Sequence, residues 1–172
     1  GMIGADGANY MSIEFHGDGV KSLSISERMT LANLASEMGA KNAVFPADEE
    51  LVKFLGGMPA NPVWADPDAV YDKEIEIDLN ELFPLVAAPH QVENVKSVSE
   101  VQGKKVHQGL IGTCTNGRIE DIRIAAEILD GKKIAKDFQL LVIPASKRIY
   151  LQMVEEGLIS KLMNAGANVL AA

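Results

Sequence analysis

Apolar and polar positions alternate from Tyr10 to Phe15, the two-residue period of a strand, and the turn-forming run His16-Gly17-Asp18-Gly19 closes it. A helix is expected next. Ser24 and Glu27 stand in the Ser-x-x-Glu capping-box pattern, and Leu31, Leu34, Ala35 and Met38 recur at helical spacing until Gly39 ends the run. Asn42 to Phe45 reads as a short strand, and Asp48 to Leu55 as a short helix stopped by Gly56-Gly57. Residues 57–72, with three prolines and the only tryptophan, Trp64, read as a boundary. Beyond it Lys73 to Leu79 alternates sharply. Ile75, Ile77 and Leu79 point one way and Glu74, Glu76 and Asp78 the other, which predicts a strand with one wet face. Pro84 to Val95 reads as irregular.

The second half repeats a strand–helix pattern. Val106 to Gly112 is expected to be a strand. Arg118 to Leu129 follows as a helix with Ile119, Ile122, Ala125, Ala126 and Leu129 inward and Asp130-Gly131 as its stop. Phe138 to Ile143 is a continuous apolar run, as in a strand buried on both faces. Lys147 to Glu155 is a helix that Ser146 can cap, a shorter helix covers Ile159 to Asn164, and Asn168 to Leu170 opens another strand. This alternation favours an α/β layered fold with mainly parallel sheets. Two small α/β lobes, 1–70 and 71–172, fit the pattern best.

A chain of 172 residues with 47% apolar content can build one sizeable core or two small ones. No stretch reaches the roughly 18 apolar residues of a membrane helix, and nothing at the start reads as a signal peptide, so a soluble cytoplasmic protein is expected. Gly1-Met2 reads as a scar of tag removal. The net charge of −8 speaks against a nucleic-acid partner, which needs clustered Lys and Arg, but not against small anionic substrates. A single cysteine, Cys114, excludes an internal disulfide and any complete site of several cysteines within one copy of the chain.

Cys114 is the first candidate for chemistry. It lies in Ile111-Gly112-Thr113-Cys114-Thr115-Asn116-Gly117, between a buried strand and a helix, where ligands gather in open α/β sheets. A helix N-terminus there would favour the thiolate that binds metal or attacks an electrophile. Asn116 is a plausible N-cap, and Gly112 and Gly117 allow close backbone approach. The bland alternative is a buried, inert cysteine. The second candidate is the polar face of the first long helix, where Asn33 and Glu37 are four apart and Ser26 and Thr30 join them; the bland alternative is a solvated face. His16, His90 and His107 match no metal-ligand spacing.

The run Gly112-Thr113-Cys114-Thr115-Asn116-Gly117-Arg118-Ile119-Glu120-Asp121 resembles the first signature of the aconitase superfamily. Its Asn-Gly-Arg-x-Glu-Asp form is similar to the isopropylmalate dehydratase and homoaconitase large subunits. Four further stretches fit in register: Gly4 to Ala8, Ser24 to Glu37 with its Arg-Met-Thr and later Asn-x-x-x-Glu, Pro89-His90 followed by Glu93-Asn94-Val95, and Val142 to Ser146. The resemblance implies part of a three-layer α/β/α iron–sulfur domain. It implies a hydro-lyase that moves a hydroxyl between neighbouring carbons of a small hydroxy-carboxylate by dehydration and rehydration. It also implies a [4Fe–4S] cluster held by three cysteines, with one open iron acting as Lewis acid. Cys114 matches the first cluster cysteine, Asn33 and Glu37 match the asparagine and glutamate lining the active site, and Asn116 matches a residue beside the cluster.

The departures carry expectations too. The family's second and third cluster cysteines form a Cys-x-x-Cys pair shortly after a segment like Asn164 to Asn168, and the chain stops at Ala172 without it. The resemblance therefore implies a parent dehydratase whose remaining large-subunit domains, and a separate small subunit with the swivelling domain, lie outside these residues. The stretch in hand is expected to be inactive and without a cluster, and to expose surfaces that would otherwise be covered. Two rivals remain open here: a thiol enzyme using Cys114 with His107 or Glu120 as base, and a non-catalytic module on the same fold.

Overall fold

The computed structural model describes residues 1–172 and divides into two compact units, Gly1–Gln102 and Gly103–Ala172. The division falls some thirty residues beyond the boundary near residue 70 expected from the proline-rich stretch, so 71–102 belongs with the first unit.

In the first unit, β1 (Ser12–Glu14) pairs in parallel with β2 (Asn42–Val44), with Ile13 opposite Ala43. A parallel pair needs a crossover. Here it is α1 (Asp18–Lys21), then α2 (Ile25–Leu34), which tightens into a 3-10 turn over Ala35–Met38. The capping box forms as the sequence predicts. Glu27 N–H donates to Ser24 Oγ at 3.3 Å, and Ser24 N–H donates to Glu27 Oε2 at 2.7 Å. Gly39 closes the run in the left-handed region at φ 80°, a conformation that only glycine adopts cheaply. α3 (Glu49–Leu55) follows, with Asp48 as its cap.

The core of this unit is small: Ala8, Val20, Ala35 and Ala47. The expected apolar stripe is only partly used, since Leu31 and Met38 are half-buried and Leu34 is exposed. What is buried instead is a charge. Arg28 is 3% exposed and donates four hydrogen bonds: two at 2.7 Å to the Asp48 carboxylate, one to the Leu23 carbonyl at 3.0 Å and one to the Val20 carbonyl at 2.9 Å. Its guanidinium also lies 5.9 Å from the Phe45 ring, which stacks on Phe15 at 4.3 Å. The bidentate pair ties α2 to the cap of α3.

Two expectations fail in this unit. Lys73 to Leu79 forms no strand; Ile75 and Ile77 stay 43% and 49% exposed, and a 3-10 turn, Leu79–Glu81, begins where the strand should end. Alternation confers a propensity, but a strand also needs a neighbour for its N–H and C=O groups, and none pairs here. The stretch is anchored differently, by the Tyr71 hydroxyl donating to Glu14 at 2.7 Å beside His16. Conversely, the segment read as irregular contains β3 (Leu85–Ala87), which pairs antiparallel with β4 (Val95–Ser97) ahead of α4 (Val98–Val101).

The second unit is a three-stranded parallel sheet in the order β5 (Gln108–Gly112), β6 (Gln139–Ile143), β7 (Asn168–Val169). β5 leads through α5 (Thr113–Asn116) into α6 (Ile119–Leu129); α7 (Lys147–Glu155) and α8 (Leu158–Ala165) connect β6 to β7. Ile119, Ile122, Ala125 and Ala126 of α6, Met153 of α7 and Leu158 and Leu162 of α8 pack on Leu140 and Val142 of β6 in one core. The helix positions are those the 3.6-residue period selects. β6 differs from its expectation: Leu140 and Val142 are buried, whereas Leu141 and Ile143 on the other face are only half-buried. The core of this unit therefore lies on one face of its sheet. Mixed α/β structure with mainly parallel sheets is the class the chain adopts.

Candidate functional site

The turn that carries Cys114 sits at the carboxyl edge of the parallel sheet, where β5 ends beside the end of β6. Its backbone is unusual. Gly112 has φ 136°, and a side chain there would run into the Ile143 carbonyl. Thr113 has φ 66°, a left-handed conformation that a β-branched residue adopts only under constraint. Gly117 is also enclosed, since an added Cβ would meet Thr113 O at 2.6 Å, Ile143 O at 2.7 Å and Ala145 N at 2.8 Å. The glycines thus let the cysteine turn press against the end of β6.

Hydrogen bonds hold the strained turn. Gly117 N–H donates to Thr113 O at 3.0 Å, and Ala145 N–H donates to Gly117 O at 2.8 Å. Arg118 folds back so that Nη2 donates to the Cys114 carbonyl at 3.0 Å. Its backbone N–H donates to Asp121 Oδ2 at 3.1 Å. Cys114 itself is exposed and free.

The sequence placed Asn116 as the cap of the following helix. Instead Asn116 ends α5, the cap position of α6 falls to Arg118, and the capping oxygen comes from Asp121 three residues inside. Arginine has no acceptor atom, so Asp121 alone supplies the cap. Asn116 reaches the same carboxylate, its Nδ2 lying 3.5 Å from Asp121 Oδ1. Cys114 therefore sits in a one-turn helix of its own, before the first turn of α6.

Asn33 and Glu37 belong to the first unit. Asn33 is half-buried near the end of α2, and its carbonyl accepts from Ser36 Oγ at 2.8 Å. Glu37 is exposed in the 3-10 turn. The tightening of the helix between them changes their relation. An α-helix turns roughly 100° per residue and a 3-10 helix roughly 120°, so the two side chains point roughly 80° apart rather than roughly 40°. Residue reading missed Arg28 altogether. It stands in the quoted Arg-Met-Thr run, and its signal was a charged residue on the same helical side as Leu31 and Ala35.

His107, one of the two bases considered for a thiol enzyme, precedes β5 while Cys114 follows it. An extended strand puts the two roughly 20 Å apart, out of reach for proton transfer.

The family model for the aconitase family (aconitate hydratase) matches residues 1–105 and 91–172, which together span the chain. The chain belongs to the aconitase family. More narrowly, it is 47% identical to the 3-isopropylmalate dehydratase large subunit 2 of Archaeoglobus fulgidus over 99% of its length. It is 49% identical to a 3-isopropylmalate dehydratase large subunit of Lachnoclostridium phytofermentans over 98%, and 48% identical to large subunit 1 of Methanopyrus kandleri over 97%. These matches cover 41–42% of each relative, so the chain spans about two fifths of their length.

A cubane cluster of the kind the family implies needs several thiolates. Cys114 is the only cysteine, and no three His, Cys, Asp or Glu side chains are grouped to hold a metal ion. The exposed thiol on its clamped turn fits one ligand position; the residues present do not make a complete site. No helix is long and apolar enough to cross a membrane.

Proposed function

We propose that these 172 residues form part of the large subunit of a [4Fe–4S] hydro-lyase that isomerises a small hydroxy-carboxylate, with 3-isopropylmalate or homocitrate as the substrate type. Cys114 is one cluster thiolate with Asn116 beside it, and Asn33 and Glu37 of the first unit are the positions that match the family's active-site asparagine and glutamate. The observation that carries this reading is the exposed Cys114 on a strained turn at the carboxyl edge of a parallel sheet. It occurs in a chain 47–49% identical to proteins named 3-isopropylmalate dehydratase large subunits.

When bound, such a cluster supplies a Lewis-acidic iron to a substrate hydroxyl. The contributions of this chain are separate from that. The turn fixes where the Cys114 thiolate points. Asn116 offers an amide beside it. Glu37 offers an exposed carboxylate that can take or return a proton, and Asn33 an amide that can orient a substrate carboxylate. The further thiolates come from outside these residues, as does a partner small subunit, consistent with the relatives' designation as large subunits. By themselves the 172 residues neither complete the cluster nor turn over substrate.

The test is a dehydration assay on 3-isopropylmalate. These residues, embedded in the full length of a relative and supplied with small subunit and reconstituted iron–sulfur, should be active, and Cys114→Ser should abolish that activity. Turnover by the 172 residues alone would overturn the reading.

A further inference from the structure

The cysteine turn holds a backbone conformation that its sequence does not favour, and one side chain is placed to enforce it. Thr113 at φ 66° precedes Cys114, so without restraint the turn would relax toward an ordinary conformation. Two of its hydrogen bonds are backbone to backbone, and the Arg118 N–H and the Asn116 amide both donate to Asp121. Another is of a different kind: the Arg118 guanidinium reaches back over the turn to the Cys114 carbonyl at 3.0 Å. A bond from a charged donor is stronger than a neutral one. The same guanidinium keeps its Nε buried without a partner. An N–H held out of water in that way is unfavourable, so a surface arginine free to choose would swing into solvent instead. That it lies folded back indicates a constrained position rather than a casual contact.

We propose that Arg118 is a positioning residue for Cys114. Its guanidinium pins the carbonyl of the cysteine, and Asp121 pins the Arg118 backbone, so that the turn presents the thiol in one orientation. The inference rests on Cys114 being the functional residue of this turn, but its test does not.

The experiment is heteronuclear NMR on the 172-residue protein, comparing the native chain with Arg118→Gln, Arg118→Lys and, as a charge-matched control on another helix, Arg148→Gln. Two local signals are read: the carbonyl carbon shift of Cys114 and the exchange rate of the Gly117 amide. Arg118→Gln should move the Cys114 carbonyl upfield and speed Gly117 exchange by about tenfold, as expected for loss of a charge-assisted bond. The amides of Ile111 and Val142 in the sheet should stay put. Arg118→Lys, which keeps a charged donor, should recover part of both changes, and Arg148→Gln should produce neither. Unchanged signals in Arg118→Gln would overturn the proposal. So would changes of equal size at Ile111 and Val142, which would make Arg118 a general stabiliser of the unit. A cluster assay in which Cys114 proved dispensable would remove the proposed function and leave this result standing.

Discussion

At the scale of single residues, Gly112 of the cysteine turn and Gly131 after α6 hold positive φ in opposite surroundings. Gly112 combines φ 136° with the Ile143 carbonyl in the space of a side chain, whereas Gly131 has φ 70° and open space around it. Gly112→Ala should therefore cost more than about 3 kcal/mol, and Gly131→Ala about 1–2 kcal/mol, in urea unfolding of the second unit. Arg28 makes the opposite case, a charge that holds a core. The Arg28 guanidinium hydrogen-bonded to Asp48 keeps that carboxyl below its ordinary range, against a smaller desolvation effect. A depressed folded-state value means that the pair's stabilisation is present above about pH 4 and drains away as pH falls through the folded value. Asp48→Asn should destabilise the first unit at pH 7 and flatten its acid limb between pH 5 and 2, by urea titration at each pH. The motif around Cys114 was readable in the sequence because it is contiguous. The burial of Arg28 was not, because its partner lies twenty residues away and a periodic pattern assigns a charge to solvent.

At the scale of elements, what was legible depended on whether local and tertiary signals agreed. α6, α7 and α8 carry apolar positions at helical spacing and bury those same positions, so pattern and packing coincide. Lys73 to Leu79 carries an equally clear two-residue period and forms no strand, because periodicity says which face would be apolar and not whether a partner is near. The short hairpin of β3 and β4 was invisible for the converse reason, three-residue strands being too brief to show a period. These differences have energetic consequences. Ile122 is fully buried in the α6 core, so Ile122→Ala should cost about 2–5 kcal/mol. Ile77 is 49% exposed, and Ile77→Ala should change stability by less than about 1 kcal/mol in the same unfolding assay. A large effect at Ile77 would mean that the stretch has a packed face after all. The α2 helix teaches a related point. Its sequence spacing put Asn33 and Glu37 on one face, but the 3-10 turn that begins at Ala35 rotates Glu37 away, a change no period in the sequence signals.

At the scale of the whole chain, ligand arithmetic decides the reading. One cysteine in 172 residues cannot hold a cubane cluster, so the proposed function makes Cys114 one ligand among several, the others lying outside these residues. The chain covers only 41–42% of its relatives, so most of their length lies outside what its sequence can show. Large apolar residues stand exposed in the first unit, with Val63 at 85%, Val70 at 95% and Trp64 at 53%. Exposed patches of this kind drive association. Sedimentation velocity should accordingly show concentration-dependent self-association of the 172 residues, reduced by Val63→Ser with Trp64→Ser. The most direct test of the central claim is an iron count after anaerobic reconstitution of a large subunit of the relatives' full length that contains these residues, native and Cys114→Ser. The account predicts about four irons per native chain, and a clear loss of bound iron with a collapse of the cluster's visible absorbance in the variant. A Cys114→Ser protein that holds its four irons as firmly as the native one would contradict it.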